Sequence, residues 1–211
     1  MSAAAGHPTR PLQLDDIADL RAYERVRDDY RRRVIELKRR RRVPLGAVVS
    51  LVFENAETVR FQVQEMARAE RITTDEGILR ELDVYNRLLP GNGELSATLF
   101  IELTSDAELR EWLPKLVGIE TAIGIELASG AVVASVPERS HAEALTREET
   151  TPAVHYVRFA FAPAQVTALA EGPAALVARH PAYQARTPLD DDTRTELAVD
   201  LAERLPLAPP G

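Results

Sequence analysis

The segment AVVSLVFENAETVRFQV, residues 47–63, sets the architecture. Val49, Leu51 and Phe53 fill one face of an extended chain, and Val48 and Val52 add apolar weight to the other. A strand over Ala47–Glu54, covered on both sides, follows. Asn55-Ala56-Glu57 reads as a short turn. Beyond it Val59, Phe61 and Val63 alternate with Arg60 and Gln62, the pattern of a hairpin partner over Thr58–Val63. A helix from residue 58 fits the same residues, since Val59, Val63 and Met66 also recur at helical spacing. From Gln64 to Ile72 helix is the better reading.

Working upstream, Leu20, Tyr23, Val26, Tyr30, Val34 and Leu37 recur every three or four residues. They predict one long amphipathic helix from about Asp15 to Arg42, with acids at its positive start and arginines at its negative end. Pro44 and Gly46 stop it. Residues 1–13 read as a flexible lead-in. Downstream, Thr73 with Glu76 and Ser105 with Glu108 are capping boxes opening two helices, the second kinked at Pro114. Strands are expected over Glu94–Leu103, over Thr121–Ala128 and Ala131–Val136 around a Ser129-Gly130 turn, and over Ala153–Phe161. Residues 137–151 read as an exposed connection. A short helix from Pro163 to Gly172, an edge strand over Ala174–Ala178 and a last helix over Asp190–Leu205 complete the chain, with residues 205–211 as a disordered tail. Strand runs with hairpins, broken by helices, predict an α+β fold. It is one domain over residues 14–204, with a mixed, mainly antiparallel sheet, a long N-terminal helix and helices packed on the sheet.

The chain has 211 residues, no cysteine and a formal net charge of −7. Its length supports a sizeable core without staples. Without cysteine, no thiolate nucleophile, Cys-ligated zinc or iron–sulfur cluster of its own is available. No apolar run approaches the roughly 20 residues of a spanning helix, and the first residues lack a signal peptide's apolar centre. A cytoplasmic protein with no membrane partner is the simplest expectation.

Three constellations could carry chemistry. Arg31, Arg32 and Arg33, then Lys38, Arg39, Arg40, Arg41 and Arg42, form a basic helix end. It suits phosphates or an acidic protein. The chain is acidic overall and no aromatic-rich RNA motif accompanies the patch, so a structural role or a protein partner outweighs nucleic acid. His155 alternates with Val157, Phe159 and Phe161, so an imidazole points where aromatic rings point. Glu102 shares a strand face with Thr98 and Phe100, and Glu126 with Gly124 and Ala128. If their strands pair with that of His155, carboxylate and imidazole converge; otherwise these glutamates face solvent or pair with an arginine. Glu65 lies in a polar cluster with Gln62, Gln64, Arg68, Glu70 and Arg71, which is also ordinary helix-surface pairing. Glu65, Glu102 and His155 are thus the candidate ligands or acid–base groups, for a small ligand or a divalent metal such as iron or manganese. There is no phosphate-binding glycine loop, His-Glu-x-x-His or Gly-x-Ser-x-Gly motif.

VIELKRRRRVPLG (34–46), SLVFENAETVRFQVQEMARAERI (50–72), ELDVYNRLLP (81–90) and ATLFIEL (97–103) resemble, in order and spacing, the bacterial domain-of-unknown-function family 3501. AVHYVRFAF and ARHPAYQA are similar to its later segments. The resemblance covers residues 14–204. It implies bacterial cytosolic proteins whose genes neighbour those of rubrerythrin-like and iron–sulfur oxidoreductase proteins. A role in redox or peroxide-stress work, beside a redox partner protein, follows from that association. Without cysteine, any redox centre must be held by Glu, His, Asp or Tyr, or supplied by the partner. The competing expectation is a non-enzymatic adaptor docking an acidic partner protein or nucleic acid through Arg31–Arg33 and Lys38–Arg42. A homo-oligomer through the long helix is the third.

Overall fold

In the computed structural model of the protein, residues 10–138 and 150–202 are described. Residues 1–9 of the lead-in expected over 1–13, residues 139–149 of the connection expected over 137–151, and the tail expected over 205–211 lie outside them. The fold is α+β, and the described residues divide into two compact units: residues 10–39 with 54–90, and residues 40–53 with 91–138 and 150–202.

The first unit is helical. After a 3-10 turn at Leu14–Asp16, α1 runs over Leu20–Arg41, its last two residues belonging to the second unit. Tyr23, Tyr30 and Val34 form its buried stripe, with Phe61 packed against them. The expected hairpin partner over Thr58–Val63 is instead part of α2, Ala56–Ala69. The cause is the cap. Asn55 Oδ1 accepts from the backbone of Glu57 and Thr58, while Thr58 Oγ1 accepts from Asn55 N. This reciprocal box satisfies the helix's first donors. Val59, Val63 and Ala67 then recur every four residues on the buried side. The helix α3, Asp75–Tyr85, is capped by Thr74 and not by the expected Thr73.

The second unit is built on eight strands: β1 Arg42–Leu45, β2 Val49–Glu54 (its last residue in the first unit), β3 Glu94–Ile101, β4 Ile123–Leu127, β5 Val132–Pro137, β6 Val154–Ala160, β7 Ala174–His180 and β8 Tyr183–Pro188. They form one antiparallel sheet in the order β1-β2-β3-β6-β5-β4-β7-β8. Two strands were not expected. β1 holds Pro44, tolerated because an edge strand can spare a donor. β8 moves the edge outward from β7. The two edges approach each other, bringing the sheet close to a barrel. Tyr183 Oη donates to Leu45 O at 2.5 Å and accepts from Val48 N at 3.2 Å. Gly46, at φ +70, lies where a Cβ would strike that Oη, so the turn between β1 and β2 requires glycine.

One face of the sheet buries Leu51, Phe53, Leu95, Leu99, Ile125, Val157 and Phe159. Two helices supply further apolar residues to this core: α5, Pro163–Glu171, gives Val166 and Leu169, and α6, Asp191–Ala202, gives Leu197 and Leu201. A short helix α4, Asp106–Trp112, opens on the expected Ser105–Glu108 box and ends before Pro114. At the opposite extreme of polarity, Arg41 is fully buried. Its Nε donates to Phe53 O at 2.8 Å, and its guanidinium pairs with Asp200 and, at 3.4 Å, with Glu196.

Candidate functional site

Strand pairing decides where the candidate residues fall. β6 pairs antiparallel with β3, placing His155 opposite Leu99. Directly opposed residues point to the same face, so the imidazole joins the side of Leu99, Val157 and Phe159. Glu102 follows β3 at the alternate parity and lies on the other face. There its carboxylate pairs with Arg42 and accepts from Ser50 Oγ. The Ser50 hydroxyl first, then Arg42, holds it below the usual carboxylate range. The strands of Glu102 and His155 do pair, yet the register separates the two side chains by the thickness of the sheet.

Glu65 lies in the first unit, on α2. Tyr23 Oη donates to its Oε1 at 2.7 Å, and Arg27 grips both oxygens at 2.8 Å. Arg27 first, then Tyr23, lowers its pKa to about 2. Burial, then Glu65, raises that of Tyr23 above its ordinary value. All these donors are internal, and both carboxylate oxygens are engaged. Glu126 is likewise taken up by Arg179 at 3.1 Å and Arg186 at 3.0 Å. Among the described residues, no group of three or more His, Asp or Glu is gathered as a metal site.

His155 instead lies beside Thr151 and Glu120, neither of which the sequence suggested. Its Nε2 is 2.9 Å from Thr151 Oγ1, and its Nδ1 is 3.8 Å from Glu120 Oε2. Thr151 is buried, with its backbone N–H on Leu113 O at 3.2 Å. Glu120 sits in a 3-10 turn, Ile119–Thr121, entered through Gly118 at φ +89. Ser135 Oγ fastens this turn, 2.7 Å from Glu120 O and 2.9 Å from Ile123 O. The Glu120 side chain is 21% exposed, yet its Oε2 is buried and accepts no hydrogen bond. A hydroxyl, an imidazole and a carboxylate in a row is the order in which an acid–base group is oriented from one side and presented from the other. Thr151 lies outside β6, so strand periodicity carried no sign of its place beside His155. Nothing in the sequence connected Glu120 to either.

His180, the other buried histidine among the described residues of this unit, has both ring nitrogens engaged by backbone. Nε2 lies 3.0 Å from Val117 O, and Nδ1 accepts from Ala182 N at 3.2 Å. That fixes the turn between β7 and β8. The basic helix end is split in the same way. Arg40 pairs with Glu196 at 3.0 Å, Arg41 is buried and Arg42 pairs with Glu102. Arg31, Arg32, Arg33 and Arg39 are exposed, the second beside Asp29 and the last beside Glu36. Lys38 lies over the Phe61 ring.

No curated protein matches the chain. A family model described as a protein of unknown function, DUF3501, matches residues 11–201. The chain is also similar to a solved structure described as a novel protein of unknown function from Burkholderia pseudomallei K96243. The two are 36% identical, with a TM-score of 0.84, over 91% of this chain and 100% of the other. No described helix is long and apolar enough to cross a membrane.

Proposed function

The chain belongs to the DUF3501 family, proteins of unknown function, and we propose that it binds a small polar ligand at Glu120 and His155 and exchanges a proton with it. One observation carries the reading: Glu120 Oε2 is buried without a donor, 3.8 Å from an imidazole nitrogen. An unsatisfied buried acceptor costs about 1–3 kcal/mol, and more when charged. A ligand N–H or O–H directed at that oxygen removes the cost. Imidazole is the commonest general acid or base in such sites, and the Thr151 hydroxyl orients this one. Work beside a redox partner in the cytosol, with a role in peroxide stress, belongs to this reading through the gene neighbourhood that the family resemblance implies. Iron or manganese held by Glu120 and His155 is the competing occupant, less favoured because no third acidic or histidine ligand joins them among the described residues.

The test follows the His155 ring by NMR in the full-length protein, with acetamide and methylammonium as donor-bearing probes. The ring resonances shift saturably, and the shift is lost in Glu120→Gln. A ring unmoved by either probe overturns the proposal. Selective broadening by Mn²⁺, abolished by His155→Ala, replaces it with the metal form.

A second reading, docking of an acidic partner protein, is supported by the exposure of Arg31, Arg32, Arg33 and Arg39 on α1. Arg40, Arg41 and Arg42 fall out of that surface because acids of their own unit hold them. Reversing Arg31, Arg32 and Arg33 to Glu weakens such binding and flattens its salt dependence. Unchanged pull-down partners reduce the patch to a solvated face.

A further inference from the structure

The first unit contains a cleft of about 600 Å³, within the size range of small-molecule sites. Its apolar lining comes from Leu14, Ile17, Ala67, Ile72 and Ile78, and its exposed polar lining from Asp15, Asp19, Asp75 and Arg21. Its walls are tied in place. The Gln64 amide is hydrogen-bonded twice to Ala18, accepting from its N–H at 3.0 Å and donating to its carbonyl at 2.8 Å. Arg71 takes φ +55, and Ile72 N bonds back to Ala67 O at 2.8 Å, turning Ile72 into the lining. Two helices begin at the cleft, but both are capped by their own residues. Asp19 Oδ1 accepts from Ala22 N at 2.9 Å, and Thr74 Oγ1 from Gly77 N at 3.2 Å. No uncapped helix start is left to draw in an anion, and three carboxylates stand against one guanidinium.

We infer that this cleft binds an organic cation with an apolar body, an alkyl- or arylalkyl-ammonium, its hydrocarbon on Leu14, Ile17, Ile72 and Ile78 and its charge beside Asp15, Asp19 and Asp75. The apolar lining sets the body, and the sign of the polar lining sets the head. The inference is independent of the site at Glu120, which belongs to the other unit.

Isothermal titration of the full-length protein with phenethylammonium tests it, with 3-phenylpropionate and 2-phenylethanol as anionic and neutral probes. The cation binds at one site, more tightly than the alcohol, and the acid does not bind. Asp15→Asn and Asp75→Asn each weaken the cation by about threefold and leave the alcohol unaffected. Both positions are exposed, so the variants keep the fold, which circular dichroism verifies. Ile78→Trp, which fills the cleft, abolishes uptake of cation and alcohol alike. Equal affinity for cation and acid, or no uptake of any probe, overturns the inference.

Discussion

Glu65 and Glu120 are partly buried carboxylates from the two units, and they are treated in opposite ways. Glu65 receives a tyrosine hydroxyl and both arms of a guanidinium, all from α1. Glu120 keeps one buried oxygen with no donor, beside a histidine. The first is a fastener, because both of its oxygens are taken up in holding two helices together. The second retains an unspent interaction, which is what a binding site needs and a structural ion pair does not. The same contrast separates His180, closed by two backbone contacts, from His155, set between a hydroxyl and a carboxylate.

The contrast can be broken by experiment. The largest effect is expected where saturation is complete. Arg41→Ala leaves Asp200 buried and unpaired and costs about 3–5 kcal/mol, read as a fall in the denaturant midpoint. Glu65→Ala follows, at about 1–3 kcal/mol, since Tyr23 and Arg27 each lose a charge-assisted partner. Its pH dependence has a definite sign. The folded pKa of about 2 lies below the ordinary 4.5, so this stabilisation is whole above 4.5 and drains away as pH falls through about 2. Wild type therefore loses stability across that window faster than Glu65→Gln does, by urea unfolding at matched pH. The smallest effect is expected at Glu120. Glu120→Gln does not destabilise the fold, because the buried oxygen has no donor to lose and the neutral amide removes a buried charge. A Glu120→Gln penalty as large as that of Glu65→Ala would make both carboxylates fasteners and end the distinction.

Much of the layout was legible in the residues. The α1 stripe, the Ser105–Glu108 box, the turn at Ser129-Gly130 and the strand of His155 all rest on local chemistry. After Asn55 the residues Val59, Phe61 and Val63 satisfy both the strand and the helix period, and the cap at Asn55, a local signal, decides for the helix. The strand β1 was missed because Pro44 normally punctuates, and an edge position removes that penalty. Glu65, Glu102 and His155 stand out by residue type and strand or helix face, neither of which carries register. Once the register is known, Glu102 lies across the sheet from His155, and Glu120, from a turn with no periodic signature, stands beside it.

Sequence alone determined that this chain is α+β, which family it resembles, and that His155 points with the aromatic residues of its strand. Those properties depend on the periodicity and order of near neighbours. Only the tertiary structure decided which arginines of the basic run are withdrawn into ion pairs and which carboxylate meets the imidazole. Those outcomes depend on strand order, register and the path of a turn, where residues distant along the chain compete for the same few donors.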